Sequence, residues 1–341
     1  MGSRVICFGE LLLRLGTPGR EPLLHSMRLE VRIGGAEANV AVSLARFGHV
    51  ARMVGVVADN ALGEAALGEL RRHGVDVGGL RRGPGRMGLY FLATGAGHRP
   101  SAVLYDRADS AFARADPGDY DWPALLDGAD CLHLSGVTPA LGQRAADAAL
   151  DAARAARAAG AMVSFDGNFR AKLWAAWDGD PGRILHALLS EADIAFVDHR
   201  DIAVVLGADN GTTDAPVEAR IRTAAARAFA AFPRLQRIAT TMRTQHSVDQ
   251  QTLGAMLLTR AGGLHRAPDC TLTAIVDRIG TGDAFAAGVL HGVLSGMDDG
   301  DSLRFGLAAA CLKHSLPGDF NLVDIADVEA LVREEKLDVR R

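Results

Sequence analysis

The chain has 341 residues, 48% hydrophobic and 23% charged, enough apolar material for one large α/β domain or two smaller ones. Its 37 basic and 41 acidic side chains leave a formal net charge of −4, and no basic block stands out, so nucleic-acid binding is not expected. No apolar run approaches the roughly 18 residues of a bilayer span, the start MGSRVICFGE lacks the regions of a secretory signal, and the four cysteines stand singly in apolar segments, as reduced core thiols of a cytoplasmic protein do.

The chain opens on a β-rich block, RVICFGELLLRL (4–15), followed by MRLEVRI (27–33), whose alternation predicts a half-exposed strand. GGAEANVAVSLARFG (34–48) predicts a glycine turn running into a helix. VARMVGVVA (50–58) reads as a strand and ALGEAALGELRRHG (61–74) as a helix closed by glycine. GLYFLATG (88–95) and SAVLYDR (101–107) predict a hairpin across AGHRP. With residues 11–33 they form strands that no helix covers, a pattern suited to a lid, a dimer surface, or both. From about residue 120 short buried strands, DCLHLSG, AMVSFDGN, DIAFVD and RIATTM, alternate with helices such as LGQRAADAALDAARAARAAG, the signature of a doubly wound parallel sheet. Residues 207–219, which include an Asn210-Gly-Thr sequon, read as a surface loop, and the tail from Asp283 as mostly helix. Ligands of such sheets sit off the carboxyl ends of the strands, so the loops after Ser135, Asp166, Asp198 and Thr241 point to one rim.

Three stretches carry candidate chemistry. In DRIGTGDAFAAG (277–288), Gly280 and Gly282 flank Thr281 and Asp283 follows at the mouth of a helix. Glycines can bare several amides there, and the helix adds its positive end, so an anion is favoured. Asp283 could equally cap the helix; alone, the motif leaves both readings open. Ala284, Gly288 and Gly292 fall at i, i+4 and i+8 and give one small face for close packing. In the second stretch, backbone amides around Gly35 together with Asn39 could bind a polyol, or form a tight turn with Asn39 satisfied inside its helix. In the third, FDGNFRAKLW, Asp166, Asn168 and Arg170 leave a buried strand at alternate positions. Tyr105 and Arg107 alternate likewise on a lid strand, and two arginines at one rim suit a carboxylate or phosphate. Cys131 with His133, and Cys311 with His314, lack the further ligands of a zinc site.

These segments, in this order, resemble the PfkB (ribokinase-like) carbohydrate kinases over almost the whole chain, with GGAEANVAVSLARFG and DRIGTGDAFAAGVLHG as the two signatures. LYDRADSA, FDGNFRAKLW, IATTMR and KHSLPGDFN look closest to the branch acting on 2-dehydro-3-deoxygluconate. The resemblance implies a single ribokinase-like domain over 1–341: a three-layer α/β/α, doubly wound, mostly parallel sheet. Its lid strands would lie within about 11–33 and 88–107, and its nucleotide-binding half at about 195–330. It implies ATP and Mg²⁺ as cofactors, and a sugar acid phosphorylated at its C6 hydroxyl. Carried over, Asp283 is the base, assisted by Gly280, Thr281 and Gly282. Gly34, Gly35, Asn39, Tyr90, Tyr105, Arg107, Arg170 and Asp319 hold the sugar acid. Asn168, Arg170, Thr241, Arg243, Gly280 and Gly282 lie along ATP, and Asp201 serves Mg²⁺ through water.

The sequence departs from the family at Asp198 and Asp201, where many members carry Asn and Glu. Arg243 stands in for a missing Lys-x-Gly-x-x-Gly run, Asp106 replaces a frequent tyrosine, and Arg278 follows the retained Asp277. Kinases of fructose, 2-dehydro-3-deoxygalactonate or nucleosides remain alternatives, as does a catalytically silent sugar-binding regulator. The absence of GxGxxG argues against a dinucleotide-dependent oxidoreductase. Apolar residues on the lid strands (Leu29, Leu89, Phe91 and Val103) suggest a homodimer or a multiple of one.

Overall fold

A computed structural model describes residues 2–207 and 215–333; Asn210 and most of its expected loop lie outside the described residues. β1 (Arg4–Phe8) opens the main sheet, and β2 (Leu12–Gly16) and β3 (Glu30–Gly34) leave it for a second one. β4 (Val50–Ala58) and β5 (Asp76–Gly83) return, then β6 (Gly88–Ala93) and β7 (Ala102–Asp106) rejoin the second sheet. β8 (Cys131–Ser135), β9 (Met162–Asp166), β10 (Ile194–Phe196), β11 (Arg237–Gln245), β12 (Gln251–Thr259) and β13 (Leu264–Leu272) complete the main sheet. Its order is β13-β12-β11-β10-β9-β8-β1-β4-β5, with every neighbour pair parallel except those of β12.

The apolar runs of β1, β4 and β8 are buried almost throughout, as strands covered on both faces must be. One helical layer joins helices 36–46, 281–294, 299–313 and 325–332; another joins 143–158, 181–191, 199–206 and 217–231. The small face of helix 281–294 works as its spacing predicts. A Cβ on Gly288 would lie 2.7 Å from Gly306 Cα, and one on Gly292 2.5 Å from Ser302 Oγ, so the two helices touch backbone to backbone.

The opening β-rich block is divided between the sheets: β1 is core and β2 is lid, broken at Gly9-Glu10-Leu11. Two strands, β5 and β13, carry no clear sequence signal. β5 is interrupted by glycines and exposed arginines, and β13 contains Pro268, which an edge strand tolerates because its outer N–H needs no partner.

In the lid, Arg32, Arg14, Tyr90 and Tyr105 stand in one cross-strand row, and Val31, Leu15, Phe91 and Leu104 in the next. Alternate rows face opposite ways. Tyr90 and Tyr105 of the first row line the cleft described below, and the second row turns outward with Val31 and Leu104 exposed. Val103 was expected on the outward surface, but it pairs with Leu92 and packs inward with Leu12 and Tyr90. Asp106 also points away from the cleft, to Arg86 at 2.7 Å. Among the described residues, no helix is long and apolar enough to cross a membrane.

Candidate active site

Helix 281–294 begins at Gly280, which has φ 79° and no side-chain cap. A Cβ there would collide with the carbonyl oxygen of Asp319, so both conformation and contact demand glycine. Gly282 is different: a Cβ there would meet nothing within 4 Å. Its backbone is bare toward open space in a first turn whose N–H groups lack side-chain partners, the arrangement that attracts anions.

Asp283 does not cap the helix. It sits in the first turn, and Asn39 Nδ2 donates to its Oδ2 at 2.6 Å. Desolvation lifts its carboxyl to about 7, against the opposing pull of the Asn39 hydrogen bond and of Arg170. Asn39 Oδ1 is buried without a partner, so the alternative in which Asn39 is satisfied inside its helix does not hold. Asn39 is aimed by its neighbours. Gly35, with φ 149°, starts helix 36–46 where a side chain would strike the Glu10 carbonyl. Glu37 then plugs into the end of β8, accepting from Ser135 N (3.1 Å), Ser135 Oγ (2.7 Å) and Thr138 Oγ1 (3.0 Å).

On the lid side, Asp319 is enclosed. Tyr90 OH donates to its Oδ2 at 2.6 Å, and Arg14 Nη1 lies 3.0 Å from its Oδ1 and 2.7 Å from Asp277 Oδ2. Gly34 leaves the space that the Asp319 carboxylate occupies; it belongs to the wall behind Asp319 and does not line the cleft. Beneath them Lys313 is fully buried and donates to the Leu316 carbonyl at 3.0 Å. Desolvation pushes its ammonium down to about 8, with Asp277 and Asp319 opposing. Arg107 is buried too, and its Nε meets Glu10 Oε2 at 2.6 Å. Its charge is thus balanced by a carboxylate, which Ser110 Oγ also contacts. Arg14, Glu10, Glu37 and Lys313 were not singled out from the sequence; as isolated charges in ordinary strands and helices they carry no local signal.

On the opposite side, Arg243 Nη2 reaches Thr281 Oγ1 at 3.3 Å and Nη1 reaches Gln251 Oε1 at 2.8 Å. Burial and neighbouring Arg278 lower its guanidinium to about 10. Arg170, Arg220 and Arg243 have no carboxylate at ion-pair distance among the described residues. Asn168 leaves β9 in the left-handed region at φ 37°, and its N–H donates to Asp166 Oδ1 at 3.0 Å. Asp198 and Asp201 form a reciprocal cap on helix 199–206, Asp201 Oδ2 accepting the Asp198 N–H at 2.9 Å. Burial raises Asp201 to about 6, and desolvation followed by the Asp283 and Asp201 charges raises Asp166.

These residues surround one cleft of about 1130 Å³. Gly35, Asn39, Tyr90, Tyr105, Arg107 and Asp319 line it from the lid side. Gly280, Thr281, Gly282 and Asp283 form its middle; Asn168, Arg170, Asp201, Thr241 and Arg243 line the remainder. A carboxyl near neutral pKa thus lies between a polar, aromatic wall and a cationic wall at a bare helix terminus, an arrangement for moving a proton beside an anion. The chain matches the description "pfkB family carbohydrate kinase" over residues 3–324.

The protein belongs to the pfkB family. It is a carbohydrate kinase, transferring a phosphoryl group to an alcohol. The kinase is 33% identical to 2-dehydro-3-deoxygalactonokinase of Haloferax volcanii, over 98% of both chains. It is 29% identical to 2-dehydro-3-deoxygluconokinase of Thermoproteus tenax, over 92% of this chain and 89% of that one. Its fold superposes on the crystal structure of 2-dehydro-3-deoxygluconokinase from Thermotoga maritima with a TM-score of 0.89 and 36% identity, covering 97% and 99% of the two chains.

Proposed function

We propose that this kinase transfers the γ-phosphoryl group of ATP to the C6 hydroxyl of 2-dehydro-3-deoxy-D-gluconate, giving 2-dehydro-3-deoxy-6-phosphogluconate. The observation that carries the reading is Asp283, held at about 7 by burial between the lid-side wall and the uncapped helix start. Ionised, it accepts the proton of the attacking hydroxyl. Thr281, Gly282 and Asp283 amides and the Arg243 guanidinium neutralise charge on the transferring phosphoryl, with donors fixed before the reaction begins. Asn39 orients Asp283 through Nδ2 and offers its orphaned Oδ1 to a sugar hydroxyl.

Arg170, with no carboxylate at ion-pair distance, takes the substrate carboxylate; Arg107, already neutralised by Glu10, adds hydrogen bonds from its remaining guanidinium nitrogens. Tyr90, Tyr105, Gly35 and Asp319 line the sugar side, while Asn168, Thr241, Arg243 and Gly282 follow the nucleotide. No group of three or more His, Cys, Asp or Glu forms a cage among the described residues. Asp166 and Asp201, raised and close enough to influence one another, fit a hard cation held through water and phosphate oxygens. Bound there, Mg²⁺ supplies charge neutralisation on the phosphates. The outward lid row of Val31, Phe91 and Leu104 is the surface for a second copy.

The similarity to a 2-dehydro-3-deoxygalactonokinase favours a second reading, in which the C4 epimer is the better acceptor. Turnover on both epimers, fructose and a nucleoside, followed by ADP release, separates the possibilities. A sugar acid preferred over fructose supports the acid class, and the ratio of the epimers assigns the stereochemistry.

A further inference from the structure

The cleft is bridged at its mouth by contacts that no part of the proposed chemistry uses. The segment between β2 and β3 carries Arg20, and the turn between β11 and β12 carries Asp249. Arg20 Nη1 donates to Asp249 Oδ2 at 2.8 Å, and its Nη2 engages Oδ1, making a bidentate pair. The same turn is stitched to the lid hairpin: Val248 N donates to the Gly97 carbonyl at 3.1 Å. Arg99, in that hairpin, donates to the Arg20 carbonyl at 2.6 Å. Val248 is buried by these contacts, although it occupies a turn tip.

The β11–β12 hairpin therefore has two ends of interest. Arg243, within β11, reaches Thr281 at the start of helix 281–294; six residues further along, Asp249 holds the lid. Paired over their full length from Arg237 to Gln245, the two strands form a ribbon without a register break in that region. The ribbon thus joins Arg243 and the turn in one continuously paired element. The lid end is anchored in its own sheet, because Thr17 N donates to the Leu92 carbonyl at 3.0 Å and Thr17 Oγ1 to the Glu21 carbonyl at 2.6 Å, on either side of Arg20.

We infer that Arg20 and Asp249 are positioning residues that couple the nucleotide side of the cleft to the sugar lid, so that a bound nucleotide steadies the lid over the acceptor. The inference rests on the ATP side of the reading above. An exposed ion pair contributes little to folding, and salt screens it. Its bidentate geometry and position across the mouth suit it to a contact that opens to admit substrate and re-forms on closure.

Hydrogen exchange with the non-hydrolysable analogue adenylyl imidodiphosphate tests this without an acceptor sugar. In the wild-type chain the analogue is expected to slow exchange at residues 280–284 and also in β6 and β7. In Arg20→Asp and in Asp249→Arg, protection at 280–284 persists and the added protection of β6 and β7 is lost; the double exchange Arg20→Asp/Asp249→Arg restores it. Raising salt weakens the wild-type lid response more than the response at 280–284. Lid protection that persists unchanged in both single variants overturns the coupling, as does failure of the charge exchange to restore it. Absence of protection at 280–284 in the wild type would instead overturn the nucleotide site on which the coupling depends.

Discussion

Asn39 and Asp283 are separated by 244 positions in the chain and meet at 2.6 Å in the cleft. The contact joins the two signature segments, one at the start of helix 36–46 and the other at the start of helix 281–294. It sets the acid–base behaviour of the site, because the amide hydrogen bond stabilises the ionised carboxylate while burial opposes it.

The first consequence is a pH profile. Asp283 must be ionised to accept a proton, so kcat/KM should rise with pH through an acidic limb near 7 rather than near the ordinary aspartate value of about 4. Asn39→Ala removes a stabiliser of the charged form and should move the limb to higher pH. A limb near 4 in the wild type, or one that moves to lower pH in the variant, would contradict this assignment.

Asp283→Asn should lower kcat by about 10²–10⁴-fold, the usual range for a lost general base, with nucleotide binding retained. Its effect on stability has the opposite sign. The carboxyl is raised in the fold, so the folded chain binds more protons than the unfolded one between about 4 and 7, and stability falls as pH rises through that window. Above pH 7 the neutral amide escapes that penalty, and the variant should melt a few degrees higher than wild type by calorimetry at pH 8.

Gly280 and Gly282 separate structural from functional need. Gly280→Ala forces a side chain into the Asp319 carbonyl at φ 79° and should destabilise by about 1–3 kcal/mol or more. Gly282→Ala meets open space in the protein and should leave Tm nearly unchanged while raising the KM for ATP or lowering kcat. Denaturant unfolding and steady-state kinetics on the pair decide the matter; equal losses of stability would remove Gly282 from the nucleotide site.

Much of this was legible in the sequence, and what was not has physical causes. The glycine turns, the helix starts and the parallel strands each carry a local signal: a required backbone conformation or an unbroken apolar run. All the proposed site residues except Gly34 line one cleft. The ion-pair partners lack such signals. Arg14 looks like a charge on a half-exposed strand, yet Asp277 and Asp319 close around it. Glu10 is an ordinary loop carboxylate until the fold presses it on Arg107. Pairings across such distances are set by packing, and no periodicity announces them. Likewise Arg107 and Arg170 look alike in sequence, but only Arg170 is left without a carboxylate.

A second pH effect lies far from the chemistry. His49 Nε2 faces His291 Nδ1 at 2.9 Å, and His49 Nδ1 accepts from Ser3 N at 3.2 Å, so His49 carries its proton on Nε2 and donates it to His291. Burial lowers both imidazoles, His291 to about 4. The unfolded chain therefore takes up protons near 6.5 that the folded chain refuses, and stability should fall as pH drops from about 6.5 toward 4. His291→Phe should flatten that part of the curve of unfolding free energy against pH; an unchanged slope would show that the pair does not titrate in this way.

The outward lid row predicts self-association. Leu104→Glu puts a charge beside Phe91, in the row that ends at Val31 on the far edge strand, and should lower the mass measured by light scattering to that of one chain, with the monomer remaining folded. A wild-type chain that is monomeric at all concentrations would remove this surface from consideration.

The central claim concerns which atom receives the phosphoryl group, and one measurement reaches it directly. Purified enzyme with MgATP and ¹³C-labelled 2-dehydro-3-deoxy-D-gluconate should give a product whose carbon–phosphorus couplings place the phosphate on the C6 oxygen, and kcat/KM should exceed that for fructose by at least about tenfold, a difference of roughly 1.4 kcal/mol. Phosphate on another oxygen, or fructose as the better acceptor, would contradict the account.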